Sequence, residues 1–212
     1  MKHIVNSITP RGINNHGDVS GFYSDGQHVQ GFLKLNGRVL KLTVPNSNLT
    51  EAVGINDFDE VVGDYRGQDG NFHGFRYSDG NYVSFDFPAA HDTGASGINN
   101  LGQIVGCYSL CGRAFLYEPA VSTFTAIDFP GATSTAASDI NDRGQIVGVY
   151  STDNTTAHGF LYDGNGFTSI DAPGALITNA FGINNLGQIV GFFVVEKSPG
   201  VFEHHAFLAT RK

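Results

Sequence analysis

A chain of 212 residues, with 28 glycines, 15% charged residues and a formal charge of −8, has room for one large or two small domains and a sizeable core. The apolar share of 41%, with 17 phenylalanines, excludes a disordered chain. No run reaches the roughly 18 consecutive apolar residues of a membrane helix, and 20 acidic against 12 basic residues disfavours nucleic acid and anionic membrane surfaces as partners.

Met1-Lys2-His3-Ile4-Val5 lacks the longer apolar run and small-residue cleavage site of a secretory signal. From Gly12 onward one phrase organises the chain. It reads Gly12-Ile-Asn-Asn-His-Gly-Asp-Val-Ser-Gly21 and Gly54-Ile-Asn-Asp-Phe-Asp-Glu-Val-Val-Gly63, and returns in near-identical form from Gly97, Asp139 and Gly182. The starts are 42, 43, 42 and 43 residues apart. A second phrase contains Phe32, Phe75, Phe115, Phe160 and Phe207, as in His158-Gly-Phe-Leu161. A third ends in Pro45, Pro88, Pro130 and Pro173, each nine residues before the next start. The five units therefore share one register.

Within a unit the pattern predicts four short strands. In the third unit these are A around 95–98, B from Gln103 to Tyr108, C from Ala114 to Tyr117 and D from Phe124 to Phe129. Asn-Asn-Leu-Gly predicts the A–B hairpin, with Asn bonding its own backbone and Gly supplying a positive φ. Four strands in about 42 residues, repeated without helices, predict a propeller blade. The expected fold is all-β, a five-bladed β-propeller forming a single domain over 1–212. Strand D occurs four times. Either the ring closes by blade packing with a three-stranded last blade, or the sequence is cut at a repeat boundary; how the ring closes is left open by the residues. Met1 falls at the end of a D strand in this register.

The phrases Gly-Ile-Asn-Asn-Leu-Gly-Gln-Ile-Val-Gly, His-Gly-Phe-Leu-Tyr and Ile-Asp-Xaa-Pro-Gly-Ala resemble the bacterial HAF repeat, named for a His-Ala-Phe triplet that stands here as His205-Ala206-Phe207. The resemblance covers all five units. It implies an extracellular or cell-envelope setting, and carries no activity and no catalytic motif to transfer. In architecture, five blades of this size are also similar to small lectin propellers with one sugar pocket per blade.

Several residues invite a chemical reading. His73, His158 and His205 recur on strand C, with Gln30 and Arg113 at the same place. Thr43, Asp86, Asp128 and Asp171 stand opposite on strand D, 13, 13, 15 and 13 residues downstream of their partners. Donor faces acceptor in each pair, as hydrogen bonds between neighbouring strands require. A per-blade ligand contact is the alternative. Thr50, Thr93, Thr135 and Thr178 recur at one spot and are expected to bond backbone.

Function is expected where the repeats differ, on the face formed by the B–C and D–A loops. Tyr23, Tyr65, Tyr108 and Tyr150 close strand B beneath loops that hold Asp25, Asp69, Asp153 and Asn154, and His91 stands in a D–A loop. Aromatic rings beside carboxylates and amides suit sugar recognition, and the same rings could instead pack the blade edge. The absence of Trp removes the commonest sugar platform.

The leading expectation is a binding module for a glycan or another small polar ligand. The alternative is a hydrolase, lyase or cyclase with one unrepeated site at the channel mouth, built from His91, Asp92 and Glu51 with Arg11 or Arg113. A protein-interaction scaffold is the third reading. Neither a cofactor nor a metal is expected: no phosphate-binding Gly loop, no His-Glu-Xaa-Xaa-His and no Asp-Xaa-Asp-Xaa-Asp loop occurs. Cys107 and Cys111 flank a tight loop, spaced either for a hairpin-end disulfide or for two reduced, buried thiols. Ligand identity, compartment and oligomeric state are left open by the residues.

Overall fold

A computed structural model describes residues 7–210, and strands are its only regular elements. Blade 1 comprises β1 (Ser7–Ile13), β2 (Val19–Ser24), β3 (Val29–Leu35) and β4 (Arg38–Leu42). Blade 2 comprises β5 (Thr50–Ile55), β6 (Val61–Arg66), β7 (Phe72–Ser78) and β8 (Asn81–Phe85). Blade 3 holds β9 (Thr93–Ile98), β10 (Ile104–Tyr108), β11 (Arg113–Glu118) and β12 (Thr123–Ala126). Blade 4 holds β13 (Ser134–Ile140), β14 (Ile146–Ser151), β15 (His158–Tyr162) and β16 (Phe167–Ile170). Blade 5 has three strands, β17 (Ile177–Ile183), β18 (Ile189–Ser198) and β19 (Val201–Ala209). Every blade is an antiparallel meander, and together they form a five-bladed β-propeller. Met1 lies outside the described residues.

The repeated asparagine does two jobs. The Asn99 Oδ1 accepts the Leu101 and Gln103 amides at 3.0 Å, which folds the A–B turn, and Gly102 completes it at φ 76°. The Nδ2 of the same side chain donates to the next blade. These bonds run from Asn14 to the Asn56 carbonyl (3.2 Å), Asn56 to Asn99 (3.2 Å), Asn99 to Asn141 (3.0 Å) and Asn141 to Asn184 (3.0 Å). The turn-forming role agrees with the sequence reading. The bond to the neighbouring blade is additional.

Each blade exit is held in the same repeated way. The Oγ1 atoms of Thr50, Thr93, Thr135 and Thr178 accept the amides of Val44, Phe87, Phe129 and Ala172 at 3.0 to 3.1 Å. The third D strand ends at Ala126, short of the predicted Phe129, and residues 127–129 lead into the exit. Strands C and D are tied by His73 Nδ1 to Asp86 (2.9 Å), His158 Nδ1 to Asp171 (2.7 Å) and Arg113 to Asp128 (3.2 Å). Blade 1 departs from this pattern. Gln30 accepts instead from the Tyr23 hydroxyl at 2.7 Å, and Thr43 Oγ1 is buried without a partner.

Phe75, Phe115 and Phe160 are fully buried between blades, where each contributes about 1.5–3 kcal/mol by leaving water. Four interfaces join consecutive blades, whereas blades 5 and 1 share no comparable interface among the described residues. Among the described residues an open seam separates them. Val190 is 49% exposed where Val62, Val105 and Val147 are 0% exposed, and Leu208 is 62% exposed where Leu33 is 1%. The fifth blade has three strands, one of the two expectations, and among the described residues packing does not close the ring behind it.

Candidate functional site

The B–C and D–A loops come together on one face. The Val29 amide donates to Asn48 (3.1 Å), Arg66 to Leu49 (3.0 Å), Ser109 to Asp92 (3.1 Å) and Ala157 to Leu176 (3.2 Å). The loop carboxylates fold their own turns. Asp25 accepts the Gln27 and His28 amides at 2.9 and 2.7 Å, and Asp153 accepts those of Thr155 and Thr156 at 2.8 Å. Those amide donors hold both carboxyls below their ordinary range, the Gln27 amide first for Asp25 and the Thr156 amide first for Asp153. Asp69 accepts from the Asn71 amide and lies 3.1 Å from His73 Nε2. The bond to His73 is the main cause lowering its carboxyl. Asn154 accepts from the Thr133 hydroxyl at 2.9 Å.

The four tyrosines occupy one position and meet different surroundings. Tyr108 stacks on Phe87 with ring centroids 3.7 Å apart, and Tyr150 stacks on Phe129 at 3.6 Å. Both phenylalanines belong to the exit of the preceding blade. Tyr65 packs into the cluster containing Val44, the corresponding exit residue, with its ring 5.3 Å from His73. Tyr23 has no blade exit packed on it among the described residues. It lines a groove of about 930 Å³ on the flank of blade 1, with Asp25, Gln30, Phe32, Lys34 and Lys41. Of the predicted loop residues, this groove brings Tyr23 and Asp25 together.

The channel is built by a repeated bulge. Each A strand slips register at one residue, namely Arg11, Val53, Ser96, Ser138 and Phe181, and each of these lines a central cavity of about 550 Å³. The glycine that closes the phrase permits the slip. A Cβ at Gly63 would overlap the Glu51 carbonyl oxygen, and one at Gly106 would overlap that of Gly94. Asp139 also lines the cavity, where the other units carry Gly. It accepts the amides of Ile140 and, in blade 5, Ile183, both at 2.9 Å, and burial pushes its carboxyl up to about 6.

Beside Arg11, Glu51 on β5 stands directly opposite Asp64 on β6. Burial raises the Glu51 carboxyl and the Arg11 guanidinium opposes the rise. Burial, followed by the Glu51 charge, pushes Asp64 up to about 7 against the pull of Arg11. The equivalent pairs in the other units are Thr9 with Phe22, Gly94 with Cys107, Ala136 with Val149, and Asn179 with Phe192. Two carboxylates therefore occur in one unit alone. Asp64 was missed in the sequence because it sits inside a strand; the available signal was a charged residue at a position that is apolar in the other four units.

The remaining channel-mouth candidates lie elsewhere. Asp92 accepts the Phe72 amide at 3.0 Å, His91 is exposed in its loop, and Arg113 is engaged by Asp128. His16, Asp18 and Asp59 bring ligand-type atoms within 4.8 Å of one another, but Asp18 already accepts the Asn36 amide and Asp59 the Asn14 Nδ2. Cys107 and Cys111 are joined by a disulfide, with Cα atoms 4.6 Å apart.

No protein-family model and no curated protein sequence matches the chain. Among solved structures it is similar to a streptogramin B lyase, at 14% identity and TM-score 0.54, over 92% of this chain and 68% of that one. It is similar to TolB from Acinetobacter baumannii at 12% identity and TM-score 0.66, over 96% of this chain and 54% of TolB. The fucose-specific lectin from Aleuria aurantia follows the same course at 11% identity and TM-score 0.54, over 96% of this chain and 76% of the lectin. At these identities the likeness shows the β-propeller fold.

Proposed function

We propose that this chain is a binding module that takes a glycan or another small polar ligand where its loop face opens onto the flank of blade 1. The observation that carries the reading is the groove in which Tyr23, Asp25 and Gln30 stand beside Phe32. Aromatic faces suit the C–H side of a sugar ring, while phenol, amide and carboxylate offer the donors and acceptors that hydroxyls need. Lectins among the structural neighbours support the reading, one of them solved with α-methyl-L-fucoside. The HAF-repeat resemblance supports a setting outside the cytoplasm, and the Cys107–Cys111 disulfide is in keeping with an oxidising compartment. The test is calorimetric titration of a bound sugar into wild-type protein and Tyr23→Ala. Lost binding with an unchanged melting temperature supports the groove, and unchanged affinity removes it.

One observation favours a second reading, an enzyme with a single unrepeated site. Glu51 and Asp64 are paired carboxylates in unequal surroundings beside a cation, an arrangement suited to general acid–base chemistry. The lyases among the structural neighbours support this reading through the fold they share. Turnover of a candidate substrate that survives both Glu51→Gln and Asp64→Asn would eliminate it.

A further inference from the structure

The flank of blade 1 differs from the same flank of the other four-stranded blades in a consistent way. Blades 2, 3 and 4 place an aromatic pair there, Tyr77 with Tyr82, Tyr117 with Phe124 and Tyr162 with Phe167, ring centroids 5.1, 4.1 and 4.9 Å apart. These rings pack in the clusters between blades. Blade 1 carries Lys34 opposite Val39 at those positions. Opposite Phe32 it carries Lys41, where the others have Ser84, Ala126 and Ser169. This flank is therefore furnished for something other than a neighbouring blade.

Its charge points to what that is. Lys34 and Lys41 lie diagonally across adjacent strands and line the same groove. Neither lysine has an ion-pair partner among the described residues, in a chain whose formal charge is −8. The carboxylate that lines the groove, Asp25, is at the loop-face end and is occupied by two backbone amides. The groove is thus polarised along its length, neutral or acidic at the loop face and cationic towards the C–D turn, over an apolar floor that includes Phe32 and Val39.

We infer that the ligand of this groove is an acidic sugar, a uronic-acid oligosaccharide whose carboxylate lies between Lys34 and Lys41 while a neighbouring ring rests against Tyr23. The inference rests on the glycan-binding reading and adds the charge class of the ligand and two residues that select it. A carboxylate placed there gains charge-assisted bonds from both lysines, which discriminate against neutral sugars.

The experiment is calorimetric titration of the full chain with trigalacturonic acid and with the neutral galactose trisaccharide, repeated on Lys34→Gln/Lys41→Gln and on Tyr23→Ala. The expected result is uronate binding that weakens roughly tenfold in the double lysine variant and weakens with added salt, the neutral sugar binding feebly throughout. If both sugars bind alike, the lysine variant changes nothing and Tyr23→Ala abolishes binding, then the glycan reading survives and the acidic-sugar inference falls. Failure of both sugars to bind overturns the acidic-sugar inference, while the glycan-binding reading is decided by binding of other sugars that is lost in Tyr23→Ala. A dimer in light scattering that trigalacturonic acid leaves intact would place a second copy on the flank and also overturn the inference.

Discussion

Replacing Asn99 by Ala tests how the blades are held together. The side chain is buried and makes four hydrogen bonds, accepting from the Leu101 and Gln103 amides and donating to Gln103 Oε1 and the Asn141 carbonyl. Truncation leaves two partly buried amides without acceptors and cuts a tie between blades 3 and 4. With about 1 kcal/mol net for each lost bond and more for each orphaned donor, the loss is roughly 3–5 kcal/mol. In a protein of this size that lowers the melting temperature by roughly 10 °C. Asn184 is the internal control. It makes the same turn bonds at 2.7 to 3.0 Å but is exposed and, among the described residues, donates to no neighbouring blade. Water can replace its bonds, so Asn184→Ala should cost about 1 kcal/mol. Thermal and urea unfolding followed by circular dichroism measure both variants. Equal losses would refute the role given to the inter-blade bond.

Three further outcomes follow from the same structure. The Asp64 carboxyl is raised from 3.8 to about 7 on folding, so between those values the unfolded chain has released a proton that the folded chain keeps, and stability falls as pH rises through that window. Asp64→Asn should flatten this fall in a series of melting temperatures against pH, and an unaltered slope would assign it to other groups, Asp139 first. Reducing the Cys107–Cys111 disulfide, which closes a loop of sequence separation 4, should cost at most roughly 2 kcal/mol, so the melting temperature should drop by a few degrees in reductant without loss of the folded signal. Leu208→Lys on the open face of blade 5 should change stability by less than about 0.5 kcal/mol, while Val105→Lys, fully buried between blades 3 and 4, should prevent folding. Comparable effects in the two variants would mean that the seam is covered in solution.

What could be read from the residues, and what could not, divides along the repeat. Asn99 and its equivalents, the hinge threonines and the His–Asp pairs of strands C and D recur, and recurrence separates a local geometric need from the background of one sequence. Asp64 is a departure in one unit, inside a strand, and only its register partner Glu51 and its neighbour Arg11 give it meaning. The tyrosines show a different limit. Tyr108, Tyr150 and Tyr23 are alike in sequence, yet two are stacked under the exit of the preceding blade and one faces a groove. Which tyrosine ring is left unstacked depends on which flank the described blades leave uncovered, a property of the assembled blades that no periodicity encodes. Lys34 and Lys41 likewise gain meaning only from the uncovered flank that they share with Tyr23.

Screening the intact chain on a glycan array that carries neutral and uronic-acid oligosaccharides, side by side with Tyr23→Ala, tests the binding reading most directly. The account predicts retention of one sugar class by the wild-type protein and loss of that signal in the variant. A blank array, or a signal indifferent to Tyr23, would contradict it.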